Sequence, residues 1–436
     1  MKILIITKAF PPQNSIASHR PYSWAKYWSR SGHDVTVLTV PKIVGPQDAP
    51  QPINGFQVLE VPIPIWSILS SIFGKRKPSD THSSHRKANK IRHGSMSMKD
   101  LIYKILIEFL HRYGIFSGCR MPDVLDLWGR VAYKAVRHQH WDLVVSTAWP
   151  YGVHRPGYKL KKSGRASYWI TDWRDLWTDN HMYPGIPGFR SLERMMENQW
   201  SRLADAITTV SEPLAEILRE KYGNKVHVIY NGFDPEDYAS LPKENIFPQD
   251  NVFRIVYTGS IYPGQRDPTP LFKAVHKLHM QKQVRPEFLK IIFCGSNSDV
   301  KQLAHINQVE DFVEYAGFLP RQQALQMQRD ANMLLFLESE SKEVKGILTG
   351  KLFEYLFAGP PIIGIGIDEN SSVGVICKST GRGKCLGSDL EKIAEELKII
   401  SSAKYNNSCL SKKIIIENIS EFSRKLQSEK LLNILK

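Results

Sequence analysis

The run Gly350-Lys351-Leu352-Phe353-Glu354-Tyr355-Leu356-Phe357-Ala358-Gly359-Pro360-Pro361 sets a glycine, a cation and a carboxylate within one turn at the head of an apolar helix. Gly350 frees the backbone there, where unpaired amides and the helix dipole favour a phosphate. Lys351 shares that first turn, where a cation is disfavoured unless it faces an anion. Glu354 lies one turn on and can accept hydrogen bonds from vicinal ribose hydroxyls. The same residues also suit an ordinary surface helix start with a Lys–Glu pair. A second group, Asp172-Trp173-Arg174-Asp175, follows a predicted strand whose end aims the acids at a cleft. A local ion pair with Arg174 is the competing reading. His154, in Trp149-Pro150-Tyr151-Gly152-Val153-His154, is a further candidate against the commoner structural role of a lone histidine. No Asp-x-Asp element stands at a strand end, so this chemistry requires no metal.

These residues need a scaffold, and the chain reads as alternating strands and helices. Lys2–Thr7 is a strand, Pro11–Ser15 a loop, and Tyr22, Ala25, Trp28 and Ser29 fall at helical spacing before Gly32. Val35–Thr39 is β-branched, which completes a βαβ unit and implies a parallel sheet. Its first loop lies where open sheets bind ligands. Strands at Leu143–Ser146, Ser167–Ile170, Ala206–Val210 and Val226–Tyr230 continue the first half. A polar, proline-containing stretch, Asp234–Asn251, separates it from a second half. That half has strands at Phe253–Tyr257, Leu289–Cys294, Met333–Leu337 and Pro361–Ile365, with helices at Gln322–Arg329 and Lys351–Phe357. The pattern predicts two Rossmann-like domains, 1–235 and 251–416, with the charged helical segment 417–436 joining the first.

The 436 residues, 42% hydrophobic and 23% charged, suit two globular cores and exclude general disorder. A net charge of +15 suits nucleic acid, an anionic membrane surface or a phosphorylated substrate, and is equally met by scattered surface Lys and Arg. Five cysteines without C-x-x-C spacing predict neither a disulfide framework nor a zinc site, and fit a reducing compartment. Ile3–Ile6 is too short for a signal peptide, and Glu60, Pro62 and Pro64 break the best long apolar stretch, Val58–Phe73. A cytoplasmic protein is expected. Lys75, Arg76, Lys77, Arg86, Lys87, Lys90 and Arg92 make 74–97 a basic loop, and 99–113 follows as an amphipathic helix. The helix either packs on the core or adsorbs to an anionic leaflet. The basic run has no Phe, Tyr or Trp to stack bases, which argues against nucleic acid as partner.

The Gly350–Ile363 segment resembles the donor-binding helix of glycosyltransferase family 4, and the resemblance extends along nearly the whole chain. It implies an α/β GT-B fold, two Rossmann-like domains facing each other across a cleft. It assigns Glu354 to the donor ribose as the second acid of an E-x7-E element, whose first acid falls on Gly346 and is missing. Ile347, Leu348, backbone groups around Thr349, or Glu343 stand where a replacement could come from. The resemblance further implies donor contacts at Gly259 and Ser260, at Arg266 for the diphosphate, at Gly295, and near Phe318 for the base. Pro11 to Ser18 occupies the acceptor-side loop, with Ser15-Ile16-Ala17-Ser18 where paired glycines are common. Arg20-Pro21-Tyr22, Pro122-Asp123 with Trp128, and Asp172–Trp177 fit a branch of bacterial surface-polysaccharide transferases, with Asp172 about where other members place a donor-contacting histidine.

The expectation is therefore a retaining transferase moving a sugar from a nucleotide-sugar donor to a lipid-linked glycan acceptor, in cell-surface polysaccharide or lipopolysaccharide synthesis. It would work at an anionic membrane surface on the inner face of the cell membrane, with Asp172 and His154 as catalytic residues and no metal or cofactor besides the donor. A sugar-nucleotide 2-epimerase shares the architecture and is the alternative. A basic nucleic-acid-binding protein is the remaining one.

Overall fold

The computed structural model describes residues 1–42, 54–64, 108, 112–115, 118–180, 183–261, 266–295, 299–338, 348–405 and 417–435. The basic run 74–97, most of 99–113, Glu343, Gly346 and Ile347 lie outside them.

Ile3 to Ile6 are fully buried in β1 (Lys2–Ile6), because a central strand of a parallel sheet is covered on both faces. It is followed by α1 (Ile16–Arg30) and by β2 (Asp34–Thr39) and β3 (Gln57–Glu60). Next come α2 (Leu125–Val136), β4 (Trp141–Thr147), α3 (His154–Lys162) and β5 (Ala166–Asp172). The first half closes with α4 (Pro187–Leu203), β6 (Ala206–Thr209), α5 (Glu212–Tyr222) and β7 (Val226–Val228). The sheet order is β3-β2-β1-β4-β5-β6-β7, all parallel, with Ile3 opposite Val35 on one side and Leu143 on the other. Side chains alternate across it. Ile3 and Ile5 pack with Trp24 and Trp28 of α1, whereas Leu4 and Ile6 pack with Trp128 of α2 and Trp169.

The connecting stretch is not merely a polar spacer, because Asp234 caps a short helix, α6 (Pro235–Ala239), by accepting from the Glu236 amide. The second half runs β8 (Phe253–Thr258), α7 (Thr269–Met280), β9 (Leu289–Cys294), α8 (Asp299–Ile306), β10 (Val313–Gly317) and α9 (Arg321–Asp330). It continues with β11 (Met333–Leu337), α10 (Gly350–Ala358), β12 (Ile362–Ile365), α11 (Ser372–Ser379), β13 (Gly383–Cys385) and α12 (Leu390–Tyr405). Its parallel order is β10-β9-β8-β11-β12-β13. In each sheet the winding reverses direction once, between β1 and β4 and between β8 and β11. The crevice beyond the carboxyl ends of those strands is where such sheets take ligands.

The chain then crosses back. α13 (Glu417–Ser420) precedes α14 (Arg424–Asn433), which packs on α1. The Trp28 indole donates to the Ser428 carbonyl at 3.0 Å, and Leu431 is buried in the α1 core. Burial of one leucine contributes about 1.5–3 kcal/mol to holding that return. The two crossing segments also bond to each other, Phe233 N–H to the Phe422 carbonyl at 3.1 Å and Arg424 N–H to the Phe233 carbonyl at 2.8 Å. Among the described residues no helix is long and apolar enough to cross a membrane.

Candidate active site

Three glycines bring backbone together at the crevice. A Cβ on Gly295, after β9, would fall 2.1 Å from the Gly259 carbonyl oxygen, so the turns after β8 and β9 touch only because neither bears a side chain. Gly259 has φ +126°, a value that excludes most other residues. A Cβ there would also sit 2.6 Å from Lys351 Nζ. Gly350 opens α10 directly against the first domain, where a Cβ would lie 1.9 Å from Ile16 Cδ1. Thr349 precedes it in an extended conformation, and its side chain does not cap the helix. Leu352 N–H turns back to the Thr349 carbonyl at 3.2 Å, and the amides of Gly350 and Lys351, without a side-chain cap, are left for another acceptor.

Lys351 is partly buried, its ammonium 4.0 Å from the centre of the Tyr257 ring. Among the described residues no carboxylate reaches ion-pair distance of it. Burial first, and the charge of Arg266 second, lower its pKa to about 7. Arg266 lies farther along the loop after β8, 3.7 Å from Glu338. Ser260, in the same loop, uses its carbonyl to accept from the Tyr257 hydroxyl. One turn along α10 from Lys351, Glu354 takes Arg321 Nη1 at 2.9 Å. Burial pushes the Glu354 pKa up, but Arg321 and Arg424 outweigh it and hold the acid ionised.

The cleft so formed is open to solvent and offers about 280 Å3, near the lower end of small-molecule sites. Ile16 and His19 line it from the first domain; Gly259, Gly295, Phe318, Arg321, Lys351 and Glu354 line it from the second. Phe318 is 43% exposed at its edge. His19 contacts Asn14 Oδ1 at 3.2 Å, and burial, then Arg321 and Arg424, hold its pKa well below the usual range, so it is neutral.

The structure thus gathers Gly259, Gly295, Phe318, Lys351 and Glu354 on one cleft, with Thr349 and Gly350 at the head of α10. Asp172 and His154 do not join them. Asp172 is 0% exposed at the end of β5, and both oxygens are taken. Arg20 Nε and Nη2 donate at 3.0 and 2.8 Å, Thr147 at 2.6 Å and Thr208 at 2.7 Å. The expectation of an acid aimed at the cleft is corrected: this one is an internal anchor, and its partner is Arg20 rather than Arg174. Arg174 instead donates to the Ala148 carbonyl. His154 is likewise 0% exposed, bonded through Nδ1 to Ser146 Oγ at 2.8 Å and packed 4.0 Å from Trp173. Burial lowers its pKa to about 3, and the ring lies in the first domain's core and not among the residues that line the cleft.

Sequence reasoning missed His19 and Arg321. Arg321 carries the signal used for Lys351, a cation in the first turn of a helix, where it is unfavourable without a nearby anion.

Residues 106–237 match the family model described as Glycosyltransferase Family 4. No curated protein matches the sequence. Among solved structures, a glycosyltransferase from Rickettsia africae ESF-5 aligns with TM-score 0.60 and 15% identity, over 100% of this chain and 98% of its own. The apo form of WaaB, a lipopolysaccharide outer core galactosyltransferase, aligns with TM-score 0.57 and 14% identity, over 100% and 99%. A putative UDP-N-acetylglucosamine 2-epimerase from Listeria monocytogenes aligns with TM-score 0.51 and 12% identity, over 100% and 95%. At these identities the likeness is one of fold, two Rossmann-like domains facing across a cleft. With the family 4 match set in that architecture, the chain is a glycosyltransferase of the GT-B type.

Proposed function

We propose that the chain moves a sugar from a nucleotide-sugar donor to a glycan acceptor, with retention at the anomeric carbon. The observation that carries the donor half is Lys351, a partly buried cation without a carboxylate partner among the described residues, beside the open head of α10. A diphosphate there meets first-turn amides, Lys351 and, along the loop, Arg266. Glu354, one turn farther, accepts from the ribose hydroxyls, and the base lies along the segment at Phe318. These fixed positive groups stabilise the departing diphosphate without reorganising, which is how a water-poor cleft lowers a barrier. No metal or further cofactor is needed in this scheme. The acceptor enters from the first domain, past the loop that ends at Ile16, the first residue of α1.

A lipid-linked acceptor in cell-surface polysaccharide or lipopolysaccharide synthesis, met on the inner face of the cell membrane, extends this reading. It is supported by the net charge of +15 and by the basic composition of 74–97. An epimerase of the same fold would convert sugar nucleotide alone, whereas a transferase needs an acceptor.

The test is a thermal-shift screen of UDP-, GDP-, ADP- and dTDP-sugars on the wild type, Glu354→Gln and Lys351→Ala. A donor at about 100 times its dissociation constant adds ~2.7 kcal/mol to the wild type, and less to both variants. Stabilisation by none of the donors, or equal stabilisation of all three proteins, rules the donor site out. Turnover of the selected donor without any acceptor would establish the epimerase instead.

A further inference from the structure

Arg321 stands between two acids. Its Nη1 donates to Glu354 Oε1 at 2.9 Å, and its Nη2 donates to Asp237 Oδ2 at 2.7 Å. Its Nε is buried with no hydrogen-bond partner among the described residues. Asp237 belongs to α6, on the segment that leaves the first domain. It also lies 3.8 Å from Nη1 of Arg424, which begins α14 on the segment that returns. Arg424 is buried, and its Nε and Nη2 likewise have no partner among the described residues. Both crossings of the chain therefore converge on one carboxylate, two residues' reach from the cleft acid.

The geometry decides how Arg321 holds Glu354. A guanidinium left alone with a carboxylate takes both oxygens through two parallel N–H groups. Here Asp237 claims one edge of the fork, so Glu354 receives a single nitrogen of Arg321, beside the Gln328 side chain, and keeps its other oxygen outside the Arg321 contact. We infer that Asp237 is a positioning residue for the donor ribose: by dividing Arg321 between two acids, it keeps Glu354 able to accept the vicinal hydroxyls. Without Asp237, Arg321 turns its idle nitrogen onto Glu354 and competes with the ribose for the same lone pairs. The tie to Arg424 fixes Asp237 from the returning segment, so the division of the fork is set where the two domains are joined. This inference rests on the assignment of Glu354 to the ribose made above.

The test is calorimetric titration of UDP, GDP and ADP and of their 2′-deoxy counterparts, following the base that the wild type binds. The readout is the ratio of ribo to 2′-deoxy affinity, expected on the order of tenfold for one hydrogen bond to a charged group. Asp237→Ala should bring the ratio close to one, and Asp237→Asn, which keeps the side chain's volume, should give an intermediate value. Adding Arg321→Gln to Asp237→Ala removes the competitor and should raise the ratio again. A structural role would lower melting temperature and both affinities together and leave the ratio alone. An unchanged ratio in folded Asp237→Ala, or a double variant whose ratio is no higher than that of the single one, overturns the positioning role. Glu354→Gln reads the underlying assignment separately. If it keeps the wild-type ratio, the ribose assignment fails and the inference with it. If it loses the ratio while Asp237→Ala keeps it, only the positioning role fails.

Discussion

Arg20 and Asp172, 152 positions apart, meet as a two-pronged ion pair with neither side chain open to solvent. Arg20 also donates through Nη1 to the carbonyls of Ile229 and Tyr230 at 2.8 and 2.9 Å, so α1, β5 and the end of β7 share one guanidinium. Removing one partner of such a pair strands the other charge, which costs about 3–5 kcal/mol. Asp172→Asn should therefore lower the urea midpoint strongly while donor affinity of the folded protein stays at the wild-type value. Burial pushes the Asp172 pKa up, but Arg20, Thr147 and Thr208 outweigh it and the net shift is downward. The stabilisation is thus present at neutral pH and is lost as pH falls through the folded pKa, below the ordinary range. Urea midpoints of the two proteins should converge in acid. A midpoint unmoved at pH 7 would contradict the anchoring role.

Gly350 and Gly295 separate a contact that can yield from one that cannot. Gly350→Ala meets the tip of Ile16, a side chain of the other domain, so it should lower turnover by displacing that domain, and Ile16→Ala should restore it. Gly295→Ala meets the Gly259 carbonyl instead, and overpacking against backbone costs about 1–3 kcal/mol with nothing to trim. Steady-state kinetics on the three variants check this. Failure of Ile16→Ala to rescue Gly350→Ala would remove the interdomain explanation.

Lys351 should report the arrival of the donor. With its pKa near 7 in the free protein, it is largely neutral at pH 8 and must take up a proton to face a diphosphate. Donor affinity should then fall as pH rises above 7, by at most about tenfold per unit. Calorimetry at pH 8 in buffers of different ionisation heat should show uptake approaching one proton. Lys351→Arg, which stays charged, should abolish the uptake. Identical heats across buffers for the wild type would exclude this role.

The membrane extension is tested by cosedimentation with anionic and neutral liposomes at low and high salt. Each Lys or Arg near an anionic surface contributes about 1 kcal/mol. Neutralising Lys75, Arg76, Lys77, Arg86, Lys87, Lys90 and Arg92 should release the protein from anionic liposomes and leave donor binding intact. Equal binding of the two proteins, or no preference for anionic lipid, would remove the membrane claim.

Strand runs such as Ile3–Ile6 and Phe253–Tyr257 were legible because central parallel strands are continuous in apolar residues. Helices such as α4, whose sequence mixes Arg, Glu, Met and Asn, were not singled out, since only part of the helix is covered. The donor-side glycines were legible through family resemblance; their reason, backbone against backbone at Gly259 and Gly295, is a contact between loops 36 positions apart that no local pattern carries. Asp172 misled for the same cause. Its strand end is legible in the sequence, but the guanidinium that closes over it arrives from α1, and spacing says nothing of such an arrival. Arg321 and Asp237 sit on separate helices 84 positions apart, so their pairing is tertiary by nature.

The return of α14 to α1 also sets an order in time. The face of α1 that carries Trp28 is finished only when Ser428 reaches it, 400 positions later. At ~5–20 residues per second a ribosome needs roughly 20–80 seconds for that interval. The first of the two domains is thus completed after the second, and the Trp28 face of α1 waits without α14 while the second domain is made.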